Sequence, residues 1–189
     1  MCSSDLGWGY VNYTSYKTHF GNGNRSQYQQ FPYTKAEFDN MLNTANTATT
    51  ITHRGETPFV NVYNGSSPSV PHWGGDYYAI KFEFWFVPSE TGTYTFMTTS
   101  DDASDFSVNG TNITEDYGGH GAGNWKYGAI QMVAGTRYSI VARYQEYGGG
   151  DALYVRWSKP SDPTNYYYWN NEVTNVNSTP SKKGIMTFD

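Results

Sequence analysis

The sequence has a single cysteine, and that scarcity excludes several classes of protein. Cys2 lies within residues 1–6, a string that looks like translated sequencing-adapter sequence, so we leave that leader out of the reasoning on fold. The rest of the chain then offers neither a disulfide framework nor a thiol nucleophile. On this interpretation the native N-terminus is missing, residues 7–175 form one domain, and residues 176–189 are a C-terminal tail or linker.

Basic residues and long apolar runs are also scarce. The chain has 12 Lys and Arg against 17 Asp and Glu, and its net charge is -5. Without a basic cluster, nucleic acid is excluded as a partner, because phosphate binding needs grouped Lys and Arg. No stretch approaches the roughly 18 uninterrupted apolar residues of a membrane helix, so we expect no membrane insertion. The N-terminus also lacks the basic-then-apolar pattern of a signal peptide.

Aromatic residues and glycine are abundant instead. Aromatic residues make up 18% of the chain against 15% charged residues, and there are 20 glycines. Because aromatic side chains suit a pleated, half-buried surface and glycine suits tight turns, the composition predicts an all-β fold. A length of 189 residues fits one sandwich or barrel. A capping box at Thr34–Glu37, followed by apolar residues on one helical face, predicts one short helix near 35–45.

The second half carries the clearest strand patterns. Apolar residues recur at every second position from Tyr78 to Phe86, which predicts a strand with one buried face. Alternation resumes at 94–99 after a short turn, and we interpret these two segments as a hairpin. Asn109-Gly110 predicts a second hairpin, with a type I′ turn. Further strands are predicted at 8–13, 46–63, 106–108, 111–114, 129–133, 137–144 and 153–157.

The order of these features resembles the PA14 family, which occurs in adhesins, flocculins and some glycosidases. The resemblance covers somewhat under half of the chain. It implies an antiparallel β-sandwich of two sheets with barrel-like character. The motifs that carry it are Phe82-Glu83-Phe84-Trp85-Phe86-Val87-Pro88, Thr91-Gly92-Thr93-Tyr94-Thr95-Phe96, Ser100-Asp101-Asp102-Ala103-Ser104, Ala134-Gly135-Thr136-Arg137-Tyr138, and the segment from Arg143-Tyr144 through Gly148-Gly149-Gly150-Asp151 to Arg156-Trp157.

The resemblance also implies a calcium site that takes part in sugar binding. Asp101 and Asp102 would flank a cis peptide bond and hold one Ca²⁺ with both carboxylates. A second loop would complete the shell, because calcium takes six to eight oxygen ligands and glycine lets backbone carbonyls turn toward an ion. The alternative is that Asp-Asp and Gly-Gly-Gly-Asp are ordinary turn sequences. The ligands implied in the second loop are Asp151, Gly148, Gly149 and Gly150.

Carbohydrate contacts are predicted around this ion. An aromatic ring or imidazole among flexible glycines suits stacking on a sugar face and hydrogen bonding to hydroxyls. The alternative is that these aromatic rings pack in the core and the glycines only turn the chain. The predicted sugar-binding residues are Asp101, Asp102, His72, Trp73, Tyr117, His120, Glu146 and Tyr147.

No catalytic arrangement is recognisable, so we expect no enzyme. Glycoside hydrolysis needs two carboxyls facing each other across a cleft, and neither a Gly-x-Ser-x-Gly nor a His-Glu-x-x-His motif occurs. The predicted function is a calcium-dependent carbohydrate-binding module, a lectin or adhesin, within a larger secreted or cell-surface protein. Two alternatives stay open: a structural module for protein assembly without sugar binding, and an ancillary domain of a glycoside hydrolase.

Overall fold

The computed structural model describes residues 11–18, 31–45, 49–57, 59–63, 70–72 and 75–168. The predicted leader at 1–6, the tail at 176–189 and Trp73 lie outside these ranges. Most of the described chain forms antiparallel strands, so the all-β prediction is confirmed. One helix accompanies them within the described ranges, and no helix there is long and apolar enough to cross a membrane.

The strands form two sheets. The first has the order β2-β1-β4-β9-β6-β7, and the second has the order β11-β10-β5-β8, with β3 also paired to β10. The elements in chain order are β1 (Val11–Thr18), α1 (Lys35–Met41), β2 (Thr49–Thr57), β3 (Asn61–Tyr63), β4 (Tyr78–Phe86), β5 (Gly92–Asp101), β6 (Ser104–Val108), β7 (Thr111–Asp116), β8 (Lys126–Met132), β9 (Tyr138–Glu146), β10 (Ala152–Lys159) and β11 (Asp162–Tyr168).

Helix α1 begins at its predicted cap and ends earlier than predicted. The Thr34 hydroxyl accepts a hydrogen bond from the Glu37 backbone N–H at 3.2 Å, and the Glu37 carboxylate accepts one from the Tyr33 N–H at 2.7 Å. Leu42 is the C-cap, so the helix spans seven residues rather than the predicted 35–45. Phe38 is fully buried and fixes α1 against the first sheet.

A buried ion-pair network also ties α1 to the first sheet. Arg143 of β9 donates to both carboxylate oxygens of Asp105 on β6 and to Asp39 of α1. Its guanidinium carbon also lies 4.4 Å from the centroid of the Phe38 ring. We call Arg143, Asp105 and Asp39 the arginine cluster. It holds the helix in place with two carboxylates around one internal cation.

Aromatic side chains fill the space between the two sheets. Residues at every second position of β4 point into this core, as predicted, and the Phe86 ring meets the Trp157 ring edge-on at 5.2 Å. The aromatic residues assigned to the core from the sequence are all buried, with at most 6% of their surface exposed: Phe82, Phe84, Phe86, Phe96 and Trp157.

Two expectations on strand pairing are wrong, and one is confirmed. β4 and β5 do not form a hairpin, because β4 pairs with β1 and β9 in the first sheet while β5 pairs with β10 and β8 in the second. The predicted strand at 46–63 is two strands, β2 and β3, which belong to different sheets. The β6–β7 hairpin is confirmed, and its turn residues Asn109 and Gly110 have φ values of 47° and 80°.

The two sheets approach each other closely at one corner. Gly128 of β8 lies against the backbone of Ile113 in β7, and a Cβ placed on this glycine would be 1.9 Å from the Ile113 carbonyl oxygen. Only glycine allows this contact, because backbone atoms cannot move aside as a flexible side chain can. The edge strands of the two sheets therefore meet here, which gives the sandwich its barrel-like character.

Candidate functional site

Three carboxylates converge at the ends of two strands, one from each sheet. β5 ends at Asp101, the peptide bond from Asp101 to Asp102 is cis as the resemblance implied, and β9 ends at Glu146. One carboxylate oxygen from each of the three residues lies within 4.8 Å of the others. Glu146 is fully buried, Asp102 is 6% exposed and Asp101 is partly exposed. We call Asp101, Asp102 and Glu146 the carboxylate cluster.

Glu146 has one oxygen with a partner and one without. Its Oε2 lies 2.9 Å from the Tyr144 hydroxyl, which also donates to the Asp101 carbonyl at 2.6 Å. Its Oε1 is buried and has no hydrogen-bond partner among the described residues. A buried, unpaired carboxylate oxygen is costly, and most buried polar atoms are therefore satisfied. A cation bound to the cluster would satisfy it.

Backbone N–H groups from two loops fix the carboxylate of Asp102. The N–H of His120 donates to Oδ1 at 3.1 Å, and the N–H of Tyr147 donates to Oδ2 at 3.0 Å. The N–H of Gly148 also hydrogen-bonds this carboxylate. Both loops are therefore tied to Asp102, which sets its orientation before any ligand binds.

The electrostatics of the cluster favour a bound cation. Burial raises the pKa of Glu146 to about 8, and the charges of Asp102, Asp151 and Asp101 add to this. Burial and the charge of Asp102 raise the pKa of Asp101, and burial also raises that of Asp102. The aspartate charges thus disfavour the ionisation of Glu146. Hard oxygen ligands crowded in this way match a divalent cation such as Ca²⁺.

The loop that follows β9, which contains Gly148, Gly149, Gly150 and Asp151, lies beside the carboxylate cluster. Asp151 is outside the group of three, but its charge reaches all three members, and its own pKa is raised first of all by burial. The side chain of Tyr78 also contributes to the pKa of Asp151, in the lowering direction. Gly149 has a φ of 113°, which favours glycine. The loop is therefore next to the cation site, and ligation by Asp151 and by the carbonyls of Gly148, Gly149 and Gly150 stays a prediction.

Most of the predicted sugar-binding side chains make internal contacts. The His72 ring stacks on Tyr78 at 4.2 Å, and its Nδ1 lies 2.9 Å from the Val70 carbonyl. The Tyr117 hydroxyl donates to Asp105 of the arginine cluster at 2.9 Å. Nδ1 of His120 lies 3.1 Å from the carbonyl of Ser100. These three side chains are partly buried and are held by internal contacts, and sugar binding by them stays a prediction.

Glu146 and Tyr147, both predicted as sugar contacts, lie in different environments. Glu146 is fully buried and lies within the carboxylate cluster, and sugar contact by either residue stays a prediction. The Tyr147 ring lies 5.1 Å from the ring of Phe31 and 5.1 Å from that of Tyr77. These three rings form an aromatic rim next to the backbone N–H that holds Asp102.

Tyr77 is a candidate ligand-binding residue that the sequence patterns did not predict. It is 38% exposed and has a φ of 67°, a left-handed conformation that is rare for a bulky side chain. Such residues cluster at ligand sites. Its position in Asp76-Tyr77-Tyr78, directly before β4 and after a glycine-rich stretch, is the available sequence indication.

The loop at 117–123 packs against the aromatic rim through a glycine. A Cβ placed on Gly119 would lie 2.4 Å from the Phe31 ring, whereas one placed on Gly121 would meet nothing within 4 Å. The loop also bonds through the Gly123 N–H to Thr99 Oγ1 at 2.7 Å. These contacts hold His120, and with it Asp102, in position.

A two-sheet β-sandwich with a crowded carboxylate cluster at one end defines the class of this protein as an all-β module with a candidate cation site. Its sequence matches the PA14 domain family over residues 33–167. The chain therefore belongs to the PA14 domain family. A comparison with curated proteins found no match.

Solved structures share the fold. The A domain of epithelial adhesin 6 from Candida glabrata, solved in complex with Galβ1-3GlcNAc, has a TM-score of 0.61 at 17% identity, over 84% of this chain and 82% of that chain. A PA14 sugar-binding domain from an RTX adhesin has a TM-score of 0.57 at 19% identity, over 85% and 95%.

An anti-sigma factor domain-containing protein also matches, with a TM-score of 0.60 at 17% identity. The match covers 93% of this chain and 47% of that chain. The chain therefore spans about half the length of this relative.

Proposed function

We propose that this PA14 domain is a calcium-dependent carbohydrate-binding module. The observation that carries the proposal is the carboxylate cluster, in which Glu146 has a buried oxygen with no partner. Three carboxylates and the adjacent Asp151 offer hard oxygen ligands, and the charges of the three aspartates add to the raised pKa of Glu146. Ca²⁺ is the cation that suits such a set best, since it takes six to eight oxygens in flexible geometry.

The surroundings of the cluster suit a sugar. Asp101 is the partly exposed member, so an ion bound there is accessible to the hydroxyls of a ligand. The exposed ring of Tyr77, next to Tyr147, offers a surface for a sugar face. Two structural neighbours support this assignment, because one was solved with a disaccharide and the other is described as sugar-binding.

The same geometry supports binding rather than catalysis. Hydrolysis of a glycosidic bond needs two carboxyls on either side of the bond, about 5–9.5 Å apart. Here the carboxylates converge within 4.8 Å of one another, where a shared cation would neutralise them. We infer that the module recognises glycans as part of a larger secreted or cell-surface chain.

The experiment is a glycan array probed with and without a chelator, followed by calorimetry on the best ligand. Binding should require calcium and be lost in Asp101→Ala and in Asp102→Ala, while both variants stay folded by circular dichroism. Glu56→Ala, which removes an exposed carboxylate of β2, is the control and should bind normally. Glycan binding that persists in chelator would reject the calcium mechanism, and an array with no ligand at all would favour an assembly role.

A further inference from the structure

A separate feature lies on the outer face of the second sheet. Alternate residues of β10 are buried in the core, so Arg156 points to the opposite side of the strand. The strand register places Arg156 between Tyr168 of β11 and Met97 of β5, and Met97 lies opposite Tyr127 of β8. These four residues form one row across four strands.

Two aromatic rings enclose the guanidinium of Arg156. Its Cζ lies 3.7 Å from the centroid of the Trp125 ring and 3.9 Å from that of the Tyr166 ring. Two rings this close to one planar carbon must cover opposite faces, since they would otherwise overlap. Arg156 forms no ion pair with any described residue, and its Nε is buried without a hydrogen-bond partner. A fixed positive charge is thus left with donors along its edge.

Exposed tyrosines surround this cation. Tyr127 is 59% exposed, Tyr166 is 42% exposed and Tyr168 is 38% exposed. Met97 faces the same side but is only 1% exposed, so neighbouring side chains cover it. Contiguous exposed aromatic surface on a soluble domain marks an interaction site. We call Arg156, Trp125, Tyr127, Tyr166 and Tyr168 the tyrosine platform.

We propose that the tyrosine platform binds the uronic acid units of an acidic polysaccharide. Rings of this kind stack on the faces of sugar rings, and the planar edge of Arg156 can donate two parallel hydrogen bonds to a carboxylate. The occupant follows from charge, because Arg156 has no ion-pair partner among the described residues, although the chain has a net charge of -5. A neutral sugar would leave that charge without a partner.

This site is distinct from the carboxylate cluster. Met97 lies four residues before Asp101 on β5, about 13 Å away at ~3.3 Å per residue. Binding at the platform uses an internal cation and needs no calcium. The inference therefore goes beyond the proposed function, and either one can fail while the other holds.

The test is binding to polygalacturonate in the presence of EDTA, with fully methyl-esterified polygalacturonate as the uncharged counterpart. The protein should bind the acidic polymer at least about tenfold more tightly than the ester, the value of one charge-assisted contact. Arg156→Gln should lose about tenfold, and Tyr127→Ala should also weaken binding. Arg137→Gln is the matched control, because Arg137 lies over the Trp85 ring of the other sheet at 4.6 Å.

Three results would overturn the proposal: equal binding to both polymers, loss of binding on adding EDTA, or unchanged binding by Arg156→Gln. Asp102→Ala should bind the acidic polymer as well as the wild type does, which separates this site from the calcium site. If Arg156→Gln fails to fold, Arg156→Lys serves in its place. It keeps the charge but not the planar fork, so it should show a similar loss.

Discussion

Two groups of carboxylates lie along β9, one around Arg143 and the other around Glu146, three residues further on. In the arginine cluster, Asp105 and Asp39 share a guanidinium that the chain itself provides. In the carboxylate cluster no cationic side chain approaches as closely, and a buried oxygen of Glu146 has no partner among the described residues. The comparison separates a structural ion pair from a site built to accept a cation from solution.

The pKa shifts show the same difference. Burial acts to raise the pKa of Asp39, but hydrogen bonds and charges from Lys35 and Arg143 bring it below the ordinary value. The pKa of Asp101 is raised by burial and by the charge of Asp102. Carboxylates that are compensated by a cationic side chain thus ionise more easily than the carboxylates of the other group.

The largest effect should follow from removing the internal cation. Arg143→Met leaves the buried Asp105 without a cationic partner, which should lower the free energy of unfolding by about 3–5 kcal/mol in urea titrations. Calcium should not restore this loss, because the ion binds at the other group. Arg137→Met removes an exposed arginine and should change little. A loss below about 1 kcal/mol for Arg143→Met would show that the arginine cluster is not a structural ion pair on which the fold depends.

The second effect is stabilisation by calcium. An ion at about one hundred times its dissociation constant should add about 2.7 kcal/mol to the free energy of unfolding, because only the folded state holds the three carboxylates together. Asp102→Ala should abolish this gain, and Arg143→Met should retain it. Identical melting curves with millimolar calcium and with chelator would show that the carboxylate cluster does not bind calcium.

The loop at 117–123 joins the two groups, since Tyr117 bonds Asp105 and the His120 N–H bonds Asp102. Gly119→Ala would force a methyl group into the Phe31 ring and should destabilise the fold by about 1–3 kcal/mol. It should also weaken calcium binding by displacing His120. Gly121→Ala is the control, with free space at its Cβ. Equal behaviour of the two variants in calcium titrations would show that the loop does not position Asp102.

The smallest effect concerns pH in the absence of calcium. The pKa of Glu146 is raised to about 8, so its contribution to stability is complete below the ordinary value of 4.5 and is lost as pH rises through about 8. The melting temperature in chelator should fall by a few °C over this range. Glu146→Gln should flatten that slope. A melting temperature that rises with pH, or an equally steep slope in Glu146→Gln, would contradict the assignment.

Local patterns in the sequence predicted local structure well. The alternation from Tyr78 to Phe86 gave β4 with its observed bounds, and Asn109-Gly110 gave the β6–β7 hairpin. The pairing of β4 with β5 was wrong, because a turn shows where the chain reverses but not which sheet it enters. β11 was missed because Asp162–Tyr168 contains a proline and lacks apolar alternation.

The candidate site was predicted in part. The cis bond between Asp101 and Asp102 was implied by family resemblance and is present. The position of Glu146 was not foreseen, because an acidic residue at the end of a strand suggests a solvated side chain, and its burial depends on β4 and β6 on either side. The arginine cluster was missed for a related reason, since Asp39 and Arg143 are 104 residues apart.

The close approach of β7 and β8 at Gly128 also has a consequence for solubility. Open sheet edges carry unpaired N–H and C=O groups that can recruit strands from other molecules and begin aggregation. Here each of the two edge strands screens the other, because the glycine lets their backbones approach without an intervening side chain. A methyl group at this position would push the strands apart and expose two edges at once. The glycine at this position thus keeps these two sheet edges covered.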